Sequence, residues 1–171
     1  DPRYTRTAAK SDQYVRLRSG SDIALIYGVM RHIFENGWED TKYIEDRVYG
    51  MDQIRAEAME WTADKVLDAT GVPDAEVRQI AETMAMNRPS TVVWCMGQTQ
   101  HTVGNAITRM MCVLQLILGN VGVAGGGTNI FRGHDNVQGA TDVGPNPDSL
   151  PGYYGIATGS WKHWAAVWGV D

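Results

Sequence analysis

With 171 residues, 43% of them hydrophobic, the chain is long enough for one domain with a real core. Its net charge of -5, an even mixture of acids and bases, supplies no field to draw nucleic acid in bulk, and no nucleic-acid partner is expected. Two cysteines, Cys95 and Cys112, make neither a disulfide framework nor a metal site, no metal ligand is assigned, and no apolar run approaches the roughly 20 residues that span a bilayer.

In chain order, Asp1-Pro2-Arg3 opens without methionine and reads as the end of something, so a piece of a larger protein is expected. If a strand once preceded it, Asp1 is the acidic strand-tip residue that accepts hydrogen bonds from a ribose or a base; the plainer reading is a frayed terminus. Thr5 to Ser11 is a polar connection or short helix, Tyr14 to Leu17 a possible short strand, and Arg18 to Asp22 a turn. Ser21 or Asp22 is suited to cap a helix from Ile23 to Glu35, whose apolar residues Ile23, Ile26, Met30, Ile33 and Phe34 recur at helical spacing. Further helices are expected from Thr41 to Val48, from Met51 to Met59, from a cap at Thr62 to Thr70, and from the Pro73 region to Asn87. Residues 21–89 read as helical scaffold without chemistry.

The organising stretch follows. Thr91-Val-Val-Trp-Cys95 is made of β-formers and runs into Gly97, with Gln98, Thr99, Gln100 and His101 at the strand exit. Thr102 to Leu118 has helical periodicity through Val103, Ile107, Met110, Met111, Leu114 and Leu118, and stops at Gly119-Asn120. Both cysteines are expected to be buried thiols, Cys95 in the strand and Cys112 on the apolar side of the helix. A glycine-rich loop through Gly125-Gly126-Gly127 comes next; it fits neither a dinucleotide fingerprint nor a P-loop, and signals close backbone approach or a phosphate-sized nest. Ligands sit past the carboxyl ends of strands in such βα units, so the polar cluster and the loop are expected to share a site.

Residues 1–89 hold 16 of the 20 acidic residues and 12 of the 15 Lys and Arg, whereas the last 82 residues hold 14 of the 19 glycines. A surface so poor in charge suggests cover by another domain, a subunit or a large ligand. Within it Arg132 stands out, a permanent cation with a rigid fork for a carboxylate or phosphate, beside His134, the loop's only proton carrier. The alternative is an Arg132 pair with Asp135 or Asp142 that merely locks the loop. Pro145 to Gly155 is expected to be irregular, and a helix from Ser160 to Trp168 to pack Trp161, Trp164 and Trp168 against a core. With no acid pair, Ser/His/Asp set or Cys/His cluster, an enzyme built on this chain needs a cofactor for its chemistry.

Five segments, Asp1-Pro-Arg3, Arg18 to Leu25, Trp94 to Gln100, Gly119 to Gly127 and Arg132 to Asp142, closely resemble the central part of the large catalytic subunit of molybdenum- or tungsten-dependent formate dehydrogenases, in the molybdopterin oxidoreductase family. The likeness runs on through Leu150 to Tyr154 and Trp168 to Asp171. It implies an α/β class, a Rossmann-like three-layer domain with a parallel sheet flanked by helices, present here as one incomplete domain over 1–171. The scaffold would be 21–89 and the cofactor and substrate loops 94–144. It also implies two molybdopterin guanine dinucleotides holding one metal, with an iron–sulfur cluster in a separate domain. Asp1, Arg3, Gly20 and Asp22 match positions that receive a guanine nucleotide end, and Met96, Gly97 and Gln100 match the pterin-side loop. Arg132 matches the arginine that holds formate, and Gly133 and His134 match positions beside the metal.

The metal-ligating residue, its histidine and the iron–sulfur cysteines have no counterpart here, which implies an isolated chain that is inactive and binds no cofactor firmly. Expected partners are formate, the remaining domains of the same subunit and iron–sulfur electron-transfer subunits. The lack of a long insertion near Tyr49 points to the cytoplasm rather than the periplasm. Two alternatives stay open: another oxidoreductase of the same cofactor class, and a non-catalytic nucleotide-binding or interaction module.

Overall fold

Ile26, Met30 and Ile33 recur on one face and are almost fully buried, and the helix they make, α1 (Asp22–Glu35), is the post around which the first part of the molecule packs. The structure, a computed structural model, describes residues 1–144 and 147–170. The chain divides into two compact units, Asp1–Ile130 and Phe131–Asp171.

In the first unit α2 (Thr41–Arg47), α3 (Met51–Met59), α4 (Ala63–Thr70) and α5 (Asp74–Met86) follow α1. Thr62 accepts from Lys65 N at 3.4 Å to start α4, and Asp40 accepts from Tyr43 N at 2.9 Å to start α2. Ser21 occupies the cap position of α1, but its hydroxyl donates back to Arg18 O at 2.6 Å instead of accepting from the first turn. Gly28 lets α1 approach α4 and α5: a Cβ there would lie 3.1 Å from the methyls of Val66 and Val77. The segment Tyr14–Leu17 is not a strand, because no neighbouring chain completes its backbone ladder.

Strand β1 (Thr91–Trp94), the short helix α6 (Met96–Thr99), α7 (Gly104–Ile117) and β2 (Gly127–Ile130) complete the unit. β1 and β2 are parallel, with Thr91 opposite Gly127 and Trp94 opposite Ile130, and α7 packs on both. This β–α–β crossover makes the fold α/β, as expected from the sequence. Its second strand corrects the reading of Gly127 as loop. The chain turns into β2 through Gly126, where a Cβ would lie only 2.2 Å from Asn120 O, and Gly127, whose φ is 94°. The turn is locked from beneath by two buried amides. Asn120 accepts from Ser90 N and donates to Gln115 Oε1 at 2.8 Å, while Gln115 Nε2 donates to Ser90 O at 2.9 Å and to Gly127 O. Gly126 thus serves close packing of the protein's own backbone, while nothing lies within 4 Å of a Cβ built at Gly127.

Neither cysteine is fully buried, contrary to expectation. Cys95 is half-buried just past β1, and Cys112 is exposed. The buried stripe of α7 is Ile107, Met110, Leu114 and Ile117, and at about 3.6 residues per turn Cys112 falls on the opposite side.

The second unit contains α8 (Val137–Val143), the antiparallel pair β3 (Ser149–Leu150) and β4 (Tyr154–Gly155), and α9 (Thr158–Trp168). Asn136, at φ 49°, accepts from Gly139 N at 3.3 Å and opens α8, a helix the sequence did not announce. Of the stretch expected to be irregular, Pro145 and Asn146 lie outside the described residues, and the remainder holds β3, β4 and a turn of 3-10 helix at Pro151–Tyr153. α9 buries no residue, and Trp161 and Trp168 are each about half exposed, so they do not pack into a core as expected. Rings contact one another instead: Tyr154 stacks on His163 at 5.3 Å, and Trp164 lies 5.2 Å from Trp168.

Candidate cofactor and substrate sites

The first unit encloses a cavity of about 610 Å³ between the turn before α1 and the exit of β1. That size suits a nucleotide-sized ligand, whose usual cavities run from roughly 300 to 1,000 Å³. The turn supplies Ser19, Gly20 (φ 82°) and, in the first turn of α1, Asp22; the strand exit supplies Cys95, Gly97, Gln98 and His101. Asp1 also lines it, with its own Oδ1 already accepting from Arg3 N at 2.8 Å and its backbone nitrogen donating to Val15 O at 3.1 Å. Asp1, Gly20, Asp22 and Gly97 therefore converge on one space from both ends of the unit's sequence.

Arg3, Met96 and Gln100 do not line that cavity. Gln100 Nε2 instead donates to Met96 Sδ at 3.4 Å on the exposed side of α6. Gln98 and His101, three apart, line the cavity together with Gly97, whereas Met96 and Gln100, four apart, share the outer side of the turn. Gln98 is the more informative, since its Oε1 is buried without a hydrogen-bond partner. His101 Nε2 is engaged with Gly97 O at 2.9 Å. Both were visible as polar residues at the strand exit; Ser19 carried no signal beyond its place in a turn. Arg18 also lines the cavity, with its Nη1 donating to Asp68 O near the end of α4.

Arg132, Gly133 and His134 stand on the exposed stretch that opens the second unit. Arg132 Nη1 donates to Gln138 Oε1 at 3.3 Å, and the guanidinium makes no ion pair among the described residues. Its partner is thus a neutral amide, not Asp135 or Asp142. Gln138 in turn donates to Asp142 Oδ1 at 3.2 Å and to the Tyr153 hydroxyl at 2.7 Å. The hydrogen bond from Tyr153 to Asp142 raises the tyrosine's pKa above its ordinary value, with the Asp142 charge adding to the effect and Arg132 opposing it. Among the described residues no group of three or more His, Cys, Asp or Glu could hold a metal ion, and no helix is long and apolar enough to cross a membrane.

A family model described as molybdopterin oxidoreductase matches residues 1–164, nearly the whole chain. The chain belongs to the molybdopterin oxidoreductase family. Within it, formate dehydrogenase H of Escherichia coli is 36% identical over 172 residues, covering 100% of this chain and 24% of its own length. The F420-dependent formate dehydrogenase 2 subunit alpha of Methanococcus maripaludis is 33% identical, with 90% of this chain and 23% of its own length covered. Among solved structures, the acetylene hydratase from Pelobacter acetylenicus superposes with a TM-score of 0.67 at 28% identity, over 70% of this chain and 16% of that one. The chain therefore spans about a quarter or less of each molybdopterin oxidoreductase it matches here.

Proposed function

We propose that this chain is the central part of the catalytic subunit of a formate dehydrogenase, which oxidises formate to carbon dioxide at a molybdenum or tungsten centre held by two molybdopterin guanine dinucleotides. Both compact units belong, on this reading, to the cofactor-binding region of a longer polypeptide that is inactive without its other parts. The observation that carries the substrate is Arg132: a guanidinium whose partner is a neutral amide keeps its whole charge for an external anion. The formate dehydrogenase relatives support the same substrate class.

The residues of the first unit fit a guanine nucleotide end. An unpartnered acceptor, Gln98 Oε1, and the Asp22 carboxylate suit the ring N–H and amino donors of a guanine or pterin, and no atom lies within 4 Å of a Cβ built at Gly97. Asp1, Gly20, Asp22 and Gly97 would hold that end, with Gln98 and His101; Arg3, Met96, Gln100 and Gly133 are proposed to meet the cofactor from outside this cavity. When bound, the metal centre supplies the acceptor for the two electrons that formate loses.

The chain's own residues do the rest. The Arg132 fork holds both carboxylate oxygens and fixes the direction in which the C–H bond points. Oxidation of formate to carbon dioxide releases one proton with two electrons, and His134 is the imidazole positioned in sequence to take that proton. Formate, the remaining domains of the subunit and iron–sulfur electron-transfer subunits are the proposed partners, and the cytoplasm is the proposed compartment.

Steady-state formate oxidation by the cofactor-loaded parent enzyme tests this reading. Arg132→Ala should lose over about 100-fold in kcat/KM, roughly 3 kcal/mol of transition-state stabilisation, with metal content unchanged. Arg132→Lys, which keeps the charge and loses the fork, should raise KM and lower kcat. Activity of loaded Arg132→Ala within about threefold of the parent would sink the substrate assignment. The likeness to an acetylene hydratase keeps a second reading, another member of the same cofactor class, and that outcome would favour it.

A further inference from the structure

Gln138 lies between a cation and an anion and makes contact with both. Its Oε1 accepts from Arg132 Nη1 at 3.3 Å, while its Nε2 donates to Asp142 Oδ1 at 3.2 Å and to Tyr153 Oη at 2.7 Å. The Tyr153 hydroxyl donates its own hydrogen to the same Asp142 oxygen. Each of these four hydrogen bonds runs from a donor to an acceptor, and the assignment has no workable reverse. A flipped amide would set its NH2 group against a guanidinium that only donates, and its carbonyl against a carboxylate that only accepts. Asp142 and Tyr153 therefore dictate which edge of the Gln138 amide faces Arg132.

We propose that Gln138, Asp142 and Tyr153 are positioning residues that hold the Arg132 guanidinium in one orientation toward its carboxylate substrate while leaving its charge unneutralised. This rests on the reading of Arg132 as the formate anchor. The physical logic is that of an insulated clamp. A direct Arg132–Asp142 pair would fix the guanidinium as well, but it would occupy the fork and cancel the charge that the substrate needs. Interposing an amide transmits the direction set by Asp142 and withholds its charge. Tyr153 completes the lock from a separate segment, Pro151–Tyr153, where its backbone sits at φ 64°, a left-handed conformation that bulky residues rarely adopt. The hydrogen bond from Tyr153 to Asp142 also raises the tyrosine's pKa, the direction that favours the protonated, donating hydroxyl.

Two measurements test the clamp. In the cofactor-loaded parent enzyme, Gln138→Met matches the length of the side chain and removes its acceptor. The expected result is a KM for formate raised about tenfold with kcat changed less than about threefold and metal content intact, because ground-state and transition-state binding of the carboxylate weaken together. Tyr153→Phe should give a smaller KM increase of the same kind. In the present chain, labelled with nitrogen-15 at arginine, the Arg132 Nε–H signal should show slow side-chain motion that becomes fast in Gln138→Met, a readout independent of turnover. Arg132→Ala serves as the control: if it leaves kcat/KM unchanged, the anchor itself is wrong, whatever Gln138 does. If Arg132→Ala abolishes oxidation while Gln138→Met shifts neither KM nor the Arg132 dynamics by as much as about twofold, the clamp is overturned and the anchor stands. A fall in kcat and metal content at unchanged KM would also overturn it, since that pattern marks a merely structural loop.

Discussion

A methyl group added at Gly126 would sit 2.2 Å from the Asn120 carbonyl oxygen, and that oxygen belongs to backbone pinned by the buried Gln115 and Asn120 amides. Neither side can yield without breaking that network. Gly126→Ala is expected to destabilise the chain by about 2–3 kcal/mol, read as a lower urea midpoint. Gly97 is its counterexample. It also adjoins a strand, but nothing lies within 4 Å of a Cβ built there, so Gly97→Ala should leave stability within about 0.5 kcal/mol. The added methyl projects from a residue that lines the cavity, so retention of guanosine diphosphate should weaken while the fold does not change. A Gly126→Ala protein as stable as the parent would show that the turn into β2 is not rigid. A Gly97→Ala protein with unchanged nucleotide retention would remove Gly97 from the site. In the sequence Gly97 drew attention as the glycine that a strand runs into, and Gly126 as part of a glycine-rich loop. Only the identity of the nearest atom separates a packing glycine from one that faces open space.

At the scale of elements, α1 and α5 are joined by apolar packing and by one charged cluster at its edge. Arg31 and His32, both nearly buried on α1, reach Asp74 in the first turn of α5, at 2.5 and 2.9 Å, and Arg31 also meets Glu35 at 2.9 Å. Asp74 has a further role near the helix N-terminus, where a carboxylate is favoured. Removing it leaves a desolvated cation with one partner fewer, and because the Asp74 side chain is 40% exposed the penalty is discounted for solvent. Asp74→Ala should cost about 2 kcal/mol in urea denaturation, whereas Lys42→Ala, which breaks the surface pair with Asp46, should cost under about 0.5 kcal/mol. Equal effects would mean that burial does not govern these pairs. The apolar side of this packing was legible beforehand: α1, α5 and α7 announced themselves by apolar residues recurring every three or four, α4 by its Thr62 cap, and helix ends by Gly37, Gly71 and Pro89, while α3 was the weaker pattern. β2 was not legible. Gly-Thr-Asn-Ile carries one apolar residue and is a strand only because β1 lies beside it, and tertiary pairing leaves no period in the sequence. α8 was missed because a seven-residue helix holding a glycine owes its start to an Asn136 side chain rather than to an apolar stripe. Of the site, the strand exit and the Arg18–Asp22 turn could be read as polar residues at the right ends of elements, while their meeting across one cavity depends on how α1 is seated and could not.

For the whole molecule, the decisive fact is where the apolar mass lies. The continuous buried cluster runs from Leu17 to Leu118 and includes Met30, Ile33, Val66, Val77, Ile107 and Ile117, all in the first unit. In the second unit Leu150 is the buried hydrophobic residue among those described, and α9 leaves its tryptophans partly in solvent. A segment near ~40 residues is at the lower limit for folding on its own core. Stability of the chain should therefore reside in residues 1–130. A truncated chain of those residues is expected to unfold in one cooperative transition with a midpoint within about 3 °C of the full chain, by calorimetry or circular dichroism. The complementary peptide from Phe131 onward should show no cooperative transition. The prediction has a functional edge, because the nucleotide-sized cavity belongs wholly to the first unit and the Arg132 clamp wholly to the second. Substitutions at Arg132, Gln138 or Tyr153 should then leave the main melting transition where it was, so that a kinetic defect in the parent enzyme reports on substrate handling rather than on lost fold. If instead residues 1–130 melt broadly, or Arg132→Ala lowers the main transition by more than about 4 °C, the second unit carries part of the core's stability and the two sites cannot be varied independently.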